Sequence, residues 1–135
     1  MLRIILGIIV GFVVWTVLWL GSDQALISFS PQWYGVHQHT FEAALMMGSP
    51  FTPDTTILFM HLFRAVIITI MAGFLAAVVA GENRKTPVFL GVLLLVAGIA
   101  VEAMAWSYLP IWYHLIFLAL LIPMSILGGK MKQTA

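Results

Sequence analysis

Four long apolar stretches separated by more polar segments dominate the pattern of the chain. They cover residues 4–21, 53–80, 87–106 and 110–129. A helix that crosses about 30 Å of hydrocarbon needs roughly 20 mainly apolar residues, so each stretch predicts one membrane span. The pattern therefore predicts an all-α fold: an integral membrane bundle of four transmembrane helices, forming a single membrane domain over residues 1–135.

Prolines and glycines mark the expected ends of these spans. Thr52-Pro53 and Thr86-Pro87 each resemble an N-cap residue followed by proline at the first helical position. Pro110 is expected to open the fourth span in the same way. Glycines are common just after the last helical residue, and they stand where helices are expected to end at Gly21, Gly81 and Gly128-Gly129.

The first span follows Arg3 closely and so shares one feature with a secretory signal. Its apolar run is longer than that of a signal, and no A-x-A cleavage pattern follows it. We therefore expect a retained membrane span.

The segment over residues 22–52 is too long for a bare connection between two helices. Residues 40–47 are expected to form a short helix with an apolar side. This helix is expected to lie on the membrane surface or to cap the bundle.

The basic residues predict the orientation of the bundle, because cytoplasmic loops carry an excess of Lys and Arg. The 22–52 segment contains neither residue type, and Arg64 lies inside the second span. We expect both termini in the cytoplasm, residues 22–52 in the periplasm or another exterior space, and a multi-pass protein of the cell inner membrane. The other five basic residues would then all lie on the cytoplasmic side: Arg3, Arg84, Lys85, Lys130 and Lys132.

Tryptophan and tyrosine cluster towards the predicted outer boundary, a level that their amphipathic rings prefer. Anchoring in the lipid headgroups is the simpler interpretation, and a contact surface for a partner or a planar ligand is the alternative. This aromatic outer-face surface comprises Trp15, Trp19, Trp106, Tyr108, Trp112 and Tyr113.

Composition narrows the protein class further. The chain is 62% hydrophobic and 8% charged, with net charge +1, whereas soluble domains carry about 25% charged residues. These values exclude a soluble globular enzyme, a disordered chain and a nucleic-acid-binding protein. The absence of cysteine excludes disulfides, thiolate metal sites and cysteine nucleophiles.

Small residues recur at helical spacing along each span, which predicts close helix packing in the membrane. Gly7-x-x-x-Gly11 in the first span is expected to pack within the bundle, with a homo-oligomer contact as the alternative. Pro123 predicts a kink in the fourth span. The other stripes are Ala65, Thr69, Ala72, Ala76 and Ala80 in the second span, Gly91, Gly98 and Ala105 in the third, and Ser125 and Gly128 in the fourth.

Ionisable residues inside membrane spans are costly and mark candidate functional sites. Arg64 lies about 24 Å along its helix from the inner end, and Glu102 lies about 22 Å along the next. Opposite charges at one height in a low dielectric attract strongly, so we predict an Arg64–Glu102 ion pair. His61 lies one turn from Arg64, and His114 lies in the same outer third.

The cluster of His61, Arg64, Glu102 and His114 has one structural and three functional interpretations. In the structural interpretation, which we expect, the cluster fixes the register between neighbouring helices. Alternatively, His61 and His114 hold haem b as axial ligands, or a quinone binds among Trp15, Trp19, Trp106 and Trp112 with His and Glu handling protons. Copper is the third possibility, because thioether and imidazole suit it. Its candidate ligands are His37, His39, Met46, Met47, Met60, His61 and Met104.

The chain contains none of the common nucleophile, phosphate-binding or zinc-protease motifs. We therefore expect a non-enzymatic protein that packs laterally in the bilayer, as an accessory or structural subunit of a larger membrane complex or as a homo-oligomer. Its expected partners are lipid and other membrane proteins or further copies of itself. A protein that binds haem b, quinone or copper is the competing hypothesis.

Overall fold

The computed structural model describes residues 1–132 and is helical throughout its regular elements. Four of its helices are long and apolar enough to cross a membrane, as the sequence predicts. They are α1 (Leu2–Phe29), α3 (Thr55–Ala80), α4 (Thr86–Met104) and α5 (Ile111–Lys130). A π-helical turn (Pro31–Gly35) and the short helix α2 (Val36–Met47) lie between α1 and α3. The predicted short helix over residues 40–47 is therefore confirmed, although it begins earlier.

Helix α1 continues past Gly21, so the predicted end of the first span is wrong. A glycine inside a helix costs only about 1 kcal/mol relative to alanine, and contacts in the next turn oppose that cost. The Arg64 guanidinium donates to the Trp19 carbonyl oxygen at 2.9 Å and to Ser22 Oγ at 2.8 Å. The helix ends at Phe29, shortly before Pro31, whose missing N–H ends the hydrogen-bond ladder.

The N-cap of α3 is Asp54, whereas the sequence predicted Thr52. Its carboxylate accepts from the backbone N–H groups of Thr56 at 2.9 Å and Ile57 at 3.4 Å. It also accepts from Trp33 Nε1 at 2.8 Å, and this bond is the largest cause that lowers the pKa of Asp54. The left-handed Gly81 (φ +74°) ends α3, as predicted.

Glu82 supports the start of α4, where Thr86 was the predicted N-cap. Thr86 is instead the first helical residue. The Glu82 carboxylate accepts from the backbone N–H of Lys85 and Thr86 at 2.9 and 2.6 Å. Partial burial raises the pKa of Glu82, but these bonds and the Thr86 hydroxyl outweigh it and lower that pKa to about 2. Pro110 likewise lies one position before α5 as its N-cap.

Helix α3 is the centre of the bundle and packs against both α1 and α5. Small residues of the predicted stripes lie in these interfaces and in that between α4 and α5. A Cβ atom at Gly7 would lie 2.6 Å from the Ala76 carbonyl oxygen and 2.9 Å from Ala80 Cβ. At Gly11 it would lie 2.9 Å from Ala76 Cβ. The Gly7-x-x-x-Gly11 motif is therefore occupied within the chain, which confirms bundle packing for it.

The tight contact at Gly7 leads to a testable expectation. Gly7→Val places three carbons against the α3 backbone and is expected to lower the free energy of unfolding by about 1–3 kcal/mol. Gly21→Val in the same helix is the matched control, because nothing lies within 4 Å of its added Cβ. Thermal unfolding in detergent measures both, and equal melting temperatures would contradict the close packing.

Candidate functional site

A cavity of about 370 Å³ lies inside the bundle, at the end that carries α2. Helices α1, α3, α4 and α5 form its walls, and α2 contributes His37, Gln38 and Phe41. Most of the lining is apolar or aromatic, a composition typical of small-molecule sites. The aromatic part of the wall is Trp15, Trp19, Phe41, Tyr113 and Phe117.

Among the wall residues that are buried in the bundle, three have a polar side-chain atom that makes no hydrogen bond within residues 1–132. These atoms are His61 Nε2, Tyr113 Oη and Glu102 Oε1. Polar atoms in such surroundings are normally paired. Because no polar side-chain atom of the described chain is both inaccessible and unpaired, these three atoms retain access to the cavity. The cavity thus offers three hydrogen-bonding positions to an occupant.

The tautomer of His61 follows from its contact with Arg64. Arg64 Nη1 lies 2.9 Å from His61 Nδ1. A guanidinium only donates, so Nδ1 must accept, and in the neutral imidazole the proton resides on Nε2. His61 therefore presents an N–H donor to the cavity.

Arg64 connects three elements of the chain. Besides Trp19 and Ser22 in α1, its Nη1 donates to Tyr34 Oη at 2.8 Å in the π-helical turn. Asp23 Oδ1 is the nearest carboxylate oxygen, 3.8 Å from Nη1. The guanidinium carbon also lies 4.4 Å from the centre of the Trp19 ring, which adds a cation–π contact.

Tyr34, which lies in the π-helical turn, completes this network. Its hydroxyl donates to Asp23 and accepts from Arg64. Burial, followed by the hydrogen bond to Asp23, raises the pKa of Tyr34 well above its ordinary range. The phenol therefore stays protonated and keeps its donor.

The predicted Arg64–Glu102 ion pair is wrong, because Glu102 pairs with His114. Glu102 Oε2 contacts His114 Nδ1, and both side chains are buried. His114 Nε2 lies 3.3 Å from the Trp106 carbonyl oxygen, and the Trp106 ring stacks on the imidazole at 4.4 Å. The four predicted cluster residues thus form two separate groups, His61 with Arg64 and Glu102 with His114.

The predicted aromatic surface is likewise divided. Trp15, Trp19 and Tyr113 line the cavity, and the two tryptophan rings stack at 5.9 Å with an angle of 9° between their planes. Trp106 covers His114, and Trp112 packs against Phe59 with ring centres 5.4 Å apart. Tyr108 is half-buried and lies outside the cavity wall.

Sequence reasoning missed Asp23 and Tyr34 as members of the site. Asp23 was assigned to the connection after α1 because Gly21 was expected to end that helix. Tyr34 falls in the 22–52 segment, for which only the short helix over residues 40–47 was predicted. The carboxylate of Asp23 lies one turn beyond the predicted first span, and the phenol of Tyr34 lies further along the connection. Their position next to a span that faces a buried arginine is the signal that could have identified them.

The geometry disfavours the haem b interpretation. His114 has Glu102 at Nδ1 and the Trp106 carbonyl at Nε2, so neither nitrogen is free to act as an axial ligand opposite His61. For copper, the His37 imidazole already bonds Gln38 and the Asp54 backbone N–H, and Met46 and Met47 are exposed on α2. Within residues 1–132, no three His, Cys, Asp or Glu side chains are grouped as metal ligands.

Comparisons with protein-family models, with curated proteins and with solved structures found no significant match to this chain. Function is therefore inferred from the cavity itself.

Proposed function

We propose that this chain is a membrane-embedded binding protein for a planar amphiphile of the quinone class. The observation that carries the proposal is the convergence of three unpaired polar atoms on an otherwise aromatic and aliphatic cavity. Two of them, His61 Nε2–H and Tyr113 Oη–H, are donors suited to the two carbonyl oxygens of a quinone. The third, Glu102 Oε1, is an acceptor suited to a hydroxyl of the reduced form.

The aromatic walls favour a flat head group over a bare acyl chain. The near-parallel rings of Trp15 and Trp19 form one wall, and Phe117 meets Trp19 edge to face at 5.8 Å. Offset stacking and edge contacts between rings contribute about 0.5–1.5 kcal/mol each beyond the burial of apolar area. An aliphatic occupant would make neither ring contacts with these walls nor the three hydrogen bonds.

The expectation of an accessory subunit has a different basis, namely the apolar lateral faces and the lack of a catalytic motif. That hypothesis does not require a cavity with polar atoms in its wall, whereas a binding protein does. With the orientation that the basic residues predict, the cavity lies in the outer half of the bilayer. A quinone dissolved in the membrane reaches that depth.

Tyr113→Phe removes one donor from the cavity and is expected to weaken quinone binding about 2- to 10-fold, the equivalent of one net hydrogen bond. Its thermal stability should be unchanged, because the hydroxyl has no partner within residues 1–132. The measurement is saturable quenching of tryptophan fluorescence by decylubiquinone, with the protein in lipid nanodiscs.

Tyr108→Phe is the matched control, since this tyrosine lies at the same end of the bundle but outside the cavity wall. It should leave the Kd unchanged. Absence of saturable quenching in the wild-type protein would overturn the proposed function, as would equal Kd values for the two variants.

A further inference from the structure

Helices α1 and α4 touch near one end of the bundle, and both border the cavity near the other. Near the end opposite α2, a Cβ atom at Gly11 would lie 2.7 Å from Leu90 Cδ2, so the two helices are in direct contact there. Towards α2, both helices instead contribute to the cavity wall. Their residues in that wall are Trp15, Thr16, Trp19, Leu20, Gly98, Val101, Glu102 and Ala105.

Two of these wall residues are also exposed on the outside of the bundle. Leu20 in α1 is 60% exposed and Val101 in α4 is 59% exposed. By contrast, Leu58 and Phe117 at the back of the cavity are buried. Residues that belong to a cavity wall and to the lateral surface at once mark its mouth. The mouth therefore lies between α1 and α4 and faces sideways.

Helix α2 contributes to the cavity wall at the end of the bundle. Gln38 Nε2 donates to Asp23 Oδ1 at 3.2 Å, and the Asp54 backbone N–H donates to His37 Nε2 at 3.2 Å. Phe41 packs on Phe51 with ring centres 5.2 Å apart. These contacts hold the α2 residues of the cavity wall against both α1 and the start of α3.

The geometry points to an occupant that enters from the lipid through the gap between Leu20 and Val101 and leaves a long apolar tail in that gap. This inference rests on the proposed function and specifies its ligand class: a lipid-borne molecule with a head group in the cavity and a chain in the bilayer. Both mouth residues are aliphatic, as contact with an isoprenoid or alkyl chain requires.

The test compares two quinones that differ in the tail. Decylubiquinone carries a ten-carbon chain, whereas duroquinone has a ring with four methyl groups only. Leu20→Trp combined with Val101→Trp fills the mouth, and both positions are exposed, so the fold should tolerate the change. We expect the Kd for decylubiquinone to rise about tenfold or more, as for an overpacked site. The Kd for duroquinone should change less than about twofold.

Val13→Trp combined with Val96→Trp is the matched control. These residues lie on the same two helices and are exposed, but they do not line the cavity. The control also equalises the number of tryptophans for the fluorescence measurement, and both Kd values should equal those of the wild type. Val101→Phe alone provides a milder filling of the mouth and should give a smaller rise for decylubiquinone only.

The outcomes separate this inference from the proposed function. If neither quinone binds the wild-type protein, the proposed function itself fails. If both bind and the mouth variants change the two Kd values equally or leave both unchanged, the lateral mouth is wrong and the binding function stands. A selective loss of the tailed quinone supports the inference.

Discussion

Replacing Arg64 with methionine is expected to lower the free energy of unfolding by about 3 kcal/mol, the scale of a broken buried charge network. The methionine fills a similar volume but donates no hydrogen bond. Tyr34 and the Trp19 carbonyl would each lose a donor, and Asp23 would lose its nearby cation. The π-helical turn would thereby lose its hydrogen bond to Arg64 in α3, whereas the Trp33–Asp54 bond at the start of that helix would remain.

Arg84→Met is the control for this change, because Arg84 is exposed in the connection between α3 and α4. It should have little effect on stability. Arg64→Lys should fall between the two, since one ammonium group cannot reproduce the spread of donors that a guanidinium directs at several acceptors. Chemical or thermal unfolding in detergent provides the comparison. Equal losses for Arg64→Met and Arg84→Met would show that the network is not stabilising.

The second large effect is expected at the Glu102–His114 pair. Glu102→Leu alone or His114→Leu alone leaves a buried polar partner unmatched and should cost about 3 kcal/mol. The double variant removes both partners and should recover most of that loss, because replacing a buried pair by apolar residues is often close to neutral. A double-mutant cycle on unfolding free energies measures the coupling.

Two results would contradict this expectation. Additive losses in the double variant would mean that the two side chains do not act as a pair. A loss no larger than that of Glu42→Leu, at an exposed site on α2, would mean that burial does not matter for Glu102. Loss of Glu102 thus removes the partner of His114 and not, as the predicted ion pair would imply, the partner of Arg64.

Hydropathy determined most of the fold in advance. Spans of mainly apolar residues set the number of long helices, and the stripe of small residues in α3 identified the face that receives Gly7 and Gly11. The ends were less predictable. Gly21 resembles a helix terminator in sequence, yet the contacts of Arg64 with the following turn depend on the distant helix α3 and sustain the helix beyond it.

The rise of about 1.5 Å per residue predicts one level for Arg64 and Glu102, but it does not predict the direction in which each side chain points. Pairing also depends on the rotation of each helix about its axis, which follows from the packing of the whole bundle. That rotation directs Arg64 towards α1 and Glu102 towards His114. The cavity is even harder to predict from the sequence, because its volume is the space that remains after all the helices have packed.

The cavity lies at one end of the bundle, and the tight glycine contacts of α1 lie towards the other. At Gly7 and Gly11 hardly any substitution fits, whereas around Leu20 and Val101 the walls can change in size without disturbing those contacts. Descendants of this chain could therefore exchange one lipid-borne ligand for another by altering a few side chains near the gap. Such a change of ligand would need no change in how the helices of the bundle pack.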